Sequence, residues 1–172
     1  MKIDKIGITL AVLSLSACST PPLTFSVSNV PPAARKIDAA LISSIVTLAP
    51  KGEAKGSIKI AGGEDDIAGL WKSALDDALL RSAVFDDASS RRLTLSVRIY
   101  QLGYGVLGMG VNAIARYELV ERSTGQAVFV KEITTRGTAS DYIGDNRVRN
   151  AASRAVSENI AEFIATLPEV QL

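Results

Sequence analysis

The sequence predicts an α+β protein built as a two-layer sandwich, in which two amphipathic helices cover one face of a mainly antiparallel sheet. Residues 64–82 and 145–167 carry apolar residues at helical spacing and predict the two helices. Between them, residues 92–102, 111–120 and 127–136 show strand-like alternation and follow one another closely, which predicts a three-strand meander. Each helix has an apolar stripe to bury, and one sheet face supplies the surface for both.

The part of the chain before the first helix is less regular. Residues 23–27 alternate large apolar with small polar side chains, as a half-buried strand does. Residues 36–48 fit both a helical stripe and an alternation, but their isoleucine, valine, serine and threonine content favours a strand. The glycine-containing stretch 50–63 indicates a loop or hairpin around a short strand at 57–60.

The first predicted helix has acidic residues at its start and Arg81 in its last turn, both favourable to the helix dipole. Trp71 lies on its apolar stripe, which favours a core position over a ligand platform. The members of the stripe are Ile67, Leu70, Trp71, Ala74, Leu75, Ala78 and Leu79.

The second predicted helix ends at Pro168. Its front half carries Arg147, Arg149 and Arg154, an order that opposes the helix dipole. We therefore expect these arginines to have partners elsewhere in the fold, and the acidic stretch 64–87 is one candidate.

The amino terminus has the three-part layout of a secretory signal. Lys2 and Lys5 precede a short apolar stretch, too short to span a bilayer, that ends in small residues. Residues 15–18, which end in Cys18, resemble the lipobox of bacterial lipoproteins, where the thiol receives a diacylglyceryl group and the signal is cut before it. The alternative is an ordinary cleaved signal in which Cys18 is a bystander.

This resemblance implies a signal peptide at 1–17, a lipidated tether at 18–22 and a single periplasmic domain at 23–172. Lipoproteins of this class carry two or three acyl chains, palmitate among them, which makes attachment through Cys18 effectively permanent. Ser19 replaces the aspartate that usually retains such proteins in the inner membrane. The resemblance therefore implies an outer-membrane lipoprotein that faces the periplasm, with the inner membrane as the less favoured site.

The residue types present argue against catalysis. The chain contains no histidine and one cysteine, so an acylated Cys18 leaves neither the commonest general base nor a free thiol. Adjacent acidic pairs such as Asp76–Asp77 point about 100° apart on a helix and indicate a solvated face rather than a metal site. We predict no catalytic residue, no metal and no cofactor. The near-neutral charge argues against nucleic-acid binding.

Residues 103–108 match the pattern GxGxxG after a predicted strand. A dinucleotide site needs a helix to begin there, whereas the sequence continues as a strand, so a flexible hairpin connection is favoured. A further interpretation is an apolar tip that contacts lipid or a partner. Its members are Tyr104, Val106, Leu107 and Met109.

The lipobox, the acidic-led helix, the segment 115–119, the turn 123–126 and the closing run 149–160 together resemble small, mostly uncharacterised proteobacterial lipoproteins. In fold the pattern is similar to envelope domains of the curli-secretion lipoprotein, of lipoprotein activators of peptidoglycan synthases and of the amino-terminal domain of the Tol translocation protein. A weaker likeness is to auxiliary lipoproteins of ABC transport systems.

The resemblance implies a non-catalytic accessory lipoprotein, anchored through Cys18, that binds a protein partner of a cell-envelope assembly or transport system. The alternative is a lipid-binding or small-ligand-binding periplasmic lipoprotein of an ABC-type system, with a pocket between sheet and helices. Oligomeric state stays open at this point.

Overall fold

The computed structural model describes residues 23–60, 66–104, 110–140 and 144–170. The predicted signal and tether, including Cys18, lie outside these residues. In chain order the elements are β1 (Ala40–Leu48), α1 (Ile67–Ser82), β2 (Arg92–Tyr104), β3 (Val111–Glu121), β4 (Ala127–Gly137) and α2 (Gly144–Thr166), which a short 3-10 turn (Leu167–Glu169) follows.

The four strands form one sheet in the order β1-β2-β3-β4. The last three are antiparallel neighbours, so the predicted meander and the α+β sandwich are confirmed. The sheet is nevertheless mixed, because β1 pairs with β2 in parallel. This pairing follows from the connection: α1 and its flanking loops bring the chain back to the end of the sheet where β1 began, as parallel neighbours require.

The prediction of a strand at 23–27 is wrong, because this segment belongs to no strand of the sheet. The alternating sequence nevertheless corresponds to alternating burial: Leu23, Phe25 and Val27 lie in the core, and the residues between them are exposed. The Arg81 guanidinium donates a hydrogen bond to the Val27 carbonyl and so ties this segment to the end of α1.

The short strand predicted at 57–60 is reduced to a single bridge between Ile58 and Leu102. Upstream, β1 occupies the same edge of β2 as far as Ile99. After β1, the chain therefore loops away from β2 and returns to the same edge of β2 at Leu102.

The helix α1 begins and ends for local reasons. The Asp66 carboxylate accepts a hydrogen bond from the Gly69 N–H at 2.9 Å and caps the start of α1, while Ala83 closes its end in the left-handed conformation. For two arginines of α2, the partners shown among the described residues lie outside the acidic stretch 64–87, which was one candidate. Arg147 and Arg154 donate to backbone carbonyls of the preceding connection, each at 3.1 Å.

The core lies between the inner sheet face and the two helices. Three large aromatic side chains fill its centre without exposure, one from each of α1, β3 and α2: Trp71, Tyr117 and Phe163. The Tyr117 and Phe163 rings stack with centroids 4.1 Å apart and planes 11° from parallel. The expectation that Trp71 is a core residue is confirmed.

A buried polar cluster joins α2 to the sheet. The Tyr117 hydroxyl donates to Asn159 Oδ1 at 2.8 Å, and Asn159 Nδ2 donates to the carbonyls of Ala113 and Ile133 at 3.3 and 3.1 Å. Thr135 Oγ1 accepts from the same amide at 3.2 Å and donates to the Ala155 carbonyl. Because every polar atom of the Asn159 side chain is bonded, its burial is compensated.

At its end β4 approaches α2 very closely. A Cβ added at Gly137 would lie 1.9 Å from the carbonyl oxygen of Ala151 and 2.6 Å from the Ala155 nitrogen. Both neighbours are backbone atoms of one helix, so no side-chain rotation relieves the clash. The small residues of α2 permit this contact, which fixes the distance between helix and sheet.

We therefore expect Gly137→Ala to destabilise the protein by about 2 kcal/mol or more, because the added methyl group overpacks a rigid contact. Urea unfolding followed by Trp71 fluorescence measures this. Gly52→Ala is the matched control, since an added Cβ there meets nothing within 4 Å, and it should change the free energy of unfolding by less than about 0.5 kcal/mol. Equal effects of the two substitutions would contradict the close contact.

Burial raises the pKa of Tyr117 well above its usual range, while the neighbouring Trp71 side chain acts in the opposite direction. Within the described residues the Trp71 N–H itself makes no hydrogen bond. The folded chain thus holds the phenol proton at pH values where the unfolded chain has lost it. This contribution to stability is complete below about pH 10 and falls as the pH rises towards the folded pKa.

Above about pH 10, the free energy of unfolding of the wild type should fall relative to that of Tyr117→Phe by about 1.4 kcal/mol per pH unit. Urea titrations at pH 8, 10 and 11 measure the difference, and exposed Tyr104 gives the control substitution Tyr104→Phe. A difference between wild type and Tyr117→Phe that stays constant over this range would show that Tyr117 ionises normally.

Candidate functional site

The edge strand β1 carries no charged residue, and none occurs between Asp38 and Lys51. The opposite edge strand, β4, carries Lys131, Glu132 and Arg136. Proteins commonly protect sheet edges with charged side chains, because an unpaired strand otherwise invites another strand. The edge of β1 lacks this protection.

Large apolar side chains are exposed on and beside β1. Ile42, Ile45 and Leu48 are 44%, 52% and 44% exposed, and Leu80 on α1 is 80% exposed. Of these, Ile42 and Leu80 line one concave surface, whereas Ile45 and Leu48 lie outside it. Exposed apolar side chains on a concave surface indicate a candidate binding site.

A groove of about 720 Å³ runs between β1 and the second half of α1. We call it the β1–α1 groove. Its lining consists of Lys36, Leu41, Ile42, Ser43, Ser44, Lys72, Asp76, Leu79, Leu80, Ala83, Phe85 and Asp87. The apolar members come from both elements, so a chain lying in the groove would contact strand and helix together.

A polar cluster lies on one wall of the β1–α1 groove. Asp76 accepts hydrogen bonds from Ser44 and Lys72, and Lys72 Nζ also donates to Ser44 Oγ at 3.1 Å. The side chains of Lys72 and Asp76 are 45% and 43% exposed, so their ion pair contributes little stability. Its effect is to pair the groove's central charges with each other.

The backbone of β1 has a defined free side. The Ala49 N–H donates to the Ile99 carbonyl at 2.8 Å, and the parallel register continues back along the strand to Ser43 opposite Thr94. Because N–H groups alternate along a strand, residues 43, 45 and 47 face β2. The N–H groups of Ser44, Val46 and Leu48 face away from the sheet, with no backbone acceptor among the described residues.

The other candidate surface is the tip after β2. Tyr104 is 53% exposed at the end of the strand, whereas Val106, Leu107 and Met109 lie outside the described residues. The antiparallel pairing of Tyr104 with Val111 shows that the GxGxxG segment connects two strands of a hairpin. The favoured interpretation as a hairpin connection is therefore confirmed, and contact of the tip with lipid or a partner stays a prediction.

The outer sheet face is polar and carries paired charges. Arg98 pairs with Glu53 at 2.7 Å, and this hydrogen bond, with the charge of Glu53, raises the pKa of Arg98. Lys55 pairs with Glu132 in the same region. The described residues contain no group of three histidine, cysteine or acidic side chains placed to hold a metal ion. Among their helices none is long and apolar enough to cross a membrane.

Comparisons with solved structures show the fold. A DUF330-family protein from Xanthomonas campestris matches with a TM-score of 0.59 at 12% identity, over 84% of this chain and 93% of that chain. The hypothetical protein CT253 from Chlamydia trachomatis matches with 0.53 at 9% identity, over 80% and 98%. A variant of the PelC dodecamer from Paraburkholderia phytofirmans matches with 0.50 at 18% identity, over 82% and 95%.

No protein-family model matches the chain, and no curated protein matches it. At these identities the likeness to solved structures establishes a shared α+β fold and nothing about a site. The more specific resemblances to curli-secretion, synthase-activator, Tol and ABC-auxiliary domains stay predictions.

One feature of the sequence is related to this site, but the sequence alone leaves it with two interpretations. An uncharged run from 39 to 50 was visible, but a buried central strand gives the same pattern. Only the pairing of β1 on one side separates the two.

If the β1–α1 groove is the main exposed apolar surface, it should bind the dye anilinonaphthalene sulfonate. We expect the double substitution Ile42→Ser and Leu80→Ser to reduce the dye's fluorescence at least about twofold with little loss of stability, because both side chains are largely exposed. Val130→Ser is the control, since Val130 is 48% exposed on β4. If Val130→Ser reduced the dye's fluorescence by the same amount, the result would contradict dye binding localised to the β1–α1 groove.

Proposed function

We propose that this protein is a non-catalytic accessory lipoprotein, anchored through Cys18 in the outer membrane on its periplasmic side. The β1–α1 groove binds a protein partner of a cell-envelope assembly or transport system. The observation that carries the proposal is the uncharged edge strand bordered by an apolar groove, since such an edge is otherwise a liability.

The position of the first buried residue supports a partner near the membrane. Leu23 is 4% exposed within the core, and it follows Cys18 by five residues in the sequence. Five extended residues reach at most about 18 Å. A domain on so short a tether stays beside its membrane, which favours a partner lying in or on that membrane.

The comparisons supply a second support. PelC, with a similar fold, is described as a dodecamer, so this fold serves in protein–protein assembly in at least that case.

The groove's apolar lining also favours one alternative, the binding of a lipid or small ligand. The layer between sheet and helices, where a pocket was predicted, is occupied by Trp71, Tyr117 and Phe163. A ligand would therefore lie in the β1–α1 groove. Native mass spectrometry of the protein from its own membrane tests this alternative, and a bound lipid displaced by Leu80→Arg would favour it over a protein partner.

Anchoring through Cys18 predicts that the protein incorporates radiolabelled palmitate in living cells and that Cys18→Ser does not, because the thiol that receives the acylated group is then absent. Ser19→Ala is the control and should be labelled like the wild type. Equal labelling of Cys18→Ser and the wild type would contradict the anchor.

A photocrosslinking amino acid placed at Leu80 should capture one defined envelope protein in living cells, because Leu80 borders the groove and is itself exposed. The same amino acid at Val130 is the matched control, since Val130 is exposed on the far edge strand. Mass spectrometry identifies the captured protein, and its recovery should fall at least about tenfold when Ile42 is also changed to arginine. Equal capture at both positions, or none at Leu80, would overturn the proposed function.

A further inference from the structure

We infer that the partner binds by strand addition. An extended, uncharged segment of the partner pairs its backbone with the free edge of β1, and the end of the segment beside Ser44 lies at the β1–α1 groove. This inference rests on the proposed function of the groove and specifies the chemistry of what it binds.

The first argument is the backbone geometry. Ser44, Val46 and Leu48 present N–H groups away from β2, and the three residues occupy alternate positions of a regular run without a register shift. The irregularity of β1 lies earlier, between Leu41 and Ser43. An added strand therefore finds a straight, evenly spaced row of donors and acceptors, which is the template that strand addition uses.

The second argument is the direction of the side chains. Ser44, Val46 and Leu48 are paired in register with Leu95, Val97 and Ile99, which are fully buried on the inner face. Of the three, Ser44 lines the β1–α1 groove, whereas Val46 and Leu48 lie outside its lining. A strand added at this edge presents alternate side chains to the inner side, and those beside Ser44 lie near the groove wall to which Leu79 and Leu80 belong.

The third argument is charge. The groove contains two lysines and two aspartates, and Lys72 and Asp76 already pair with each other. The four charges sum to zero, so a net charge on the entering segment would gain no net attraction from the groove, while it would lose hydration. An uncharged segment with small or branched apolar residues at alternate positions matches the edge best. The far edge, with Lys131, Glu132 and Arg136, does not offer this match.

The experiment uses the full chain in detergent micelles and a synthetic peptide of nine alternating valines and threonines with a lysine tail for solubility. Amide hydrogen exchange by NMR is the readout. We expect the peptide to slow exchange at Ser44, Val46 and Leu48 at least about tenfold, because these amides gain acceptors. Exchange at residues 43, 45 and 47 should stay unchanged, because those amides are already bonded to β2.

Two controls separate backbone pairing from simple apolar contact. A peptide of the same sequence, N-methylated on alternate residues, should lose the effect if its amides pair with β1. Val46→Pro should also lose it, because the proline removes a central outward donor, whereas Val46→Ala should retain it. Thermal melts confirm that both variants fold.

The proposal is overturned if both peptides protect β1 equally or if neither does at saturation. It is also overturned if the three outward amides are protected before peptide is added and light scattering shows a dimer, since the occupant is then a second copy of this chain. Crosslinking from Leu80 that persists in Val46→Pro would leave the groove as a partner site but exclude strand addition. Loss of all crosslinking in the wild type would instead reject the proposed function itself.

Discussion

The position of α2 on the sheet depends on the buried side chain of Asn159. One amide bonds the Tyr117 hydroxyl and two strand carbonyls, and so joins α2 to β3 and β4 at once. In a core this apolar, removing any one partner would leave a buried polar group unsatisfied, at a cost of about 1–3 kcal/mol. The stack of Tyr117 on Phe163 and the contact at Gly137 fix the same helix from both sides. These contacts together fix the position of α2 on the sheet.

This placement explains the exposed edge. With α2 held over β3 and β4, α1 packs beside it and reaches over towards β1. Trp71 of α1 is fully buried in the core beneath the helix. The second half of α1 and residues 41–44 of β1 line the open space between these two elements. The β1–α1 groove is thus a consequence of two helices covering four strands, and the uncharged sequence of β1 makes its edge available for binding.

Several features of the fold could be predicted because they depend on neighbours in sequence. The meander follows from alternation and short turns, and the turn glycine Gly125 adopts φ 69° as its position indicated. The α1 stripe is buried as its spacing predicted, except for Leu70, which is partly buried. The segment 23–27 shows the limit of this reasoning, since alternation predicts which side chains are buried but not whether the backbone pairs. The partners of Arg147 and Arg154 were also beyond it, because carbonyls of a loop leave no mark in composition.

The amino-acid sequence by itself determined the class of fold, the buried faces, the absence of histidine and the resemblance of residues 15–18 to a lipobox. These depend on residue type and short-range spacing, which the sequence states directly. Only the tertiary structure decided that β1 is parallel to β2 and lies at an edge, that its outward amides form a regular row, and that Leu80 stands across from it. Such relations join residues more than thirty positions apart, and one pattern of apolar residues is compatible with either a central or an edge strand until pairing is known.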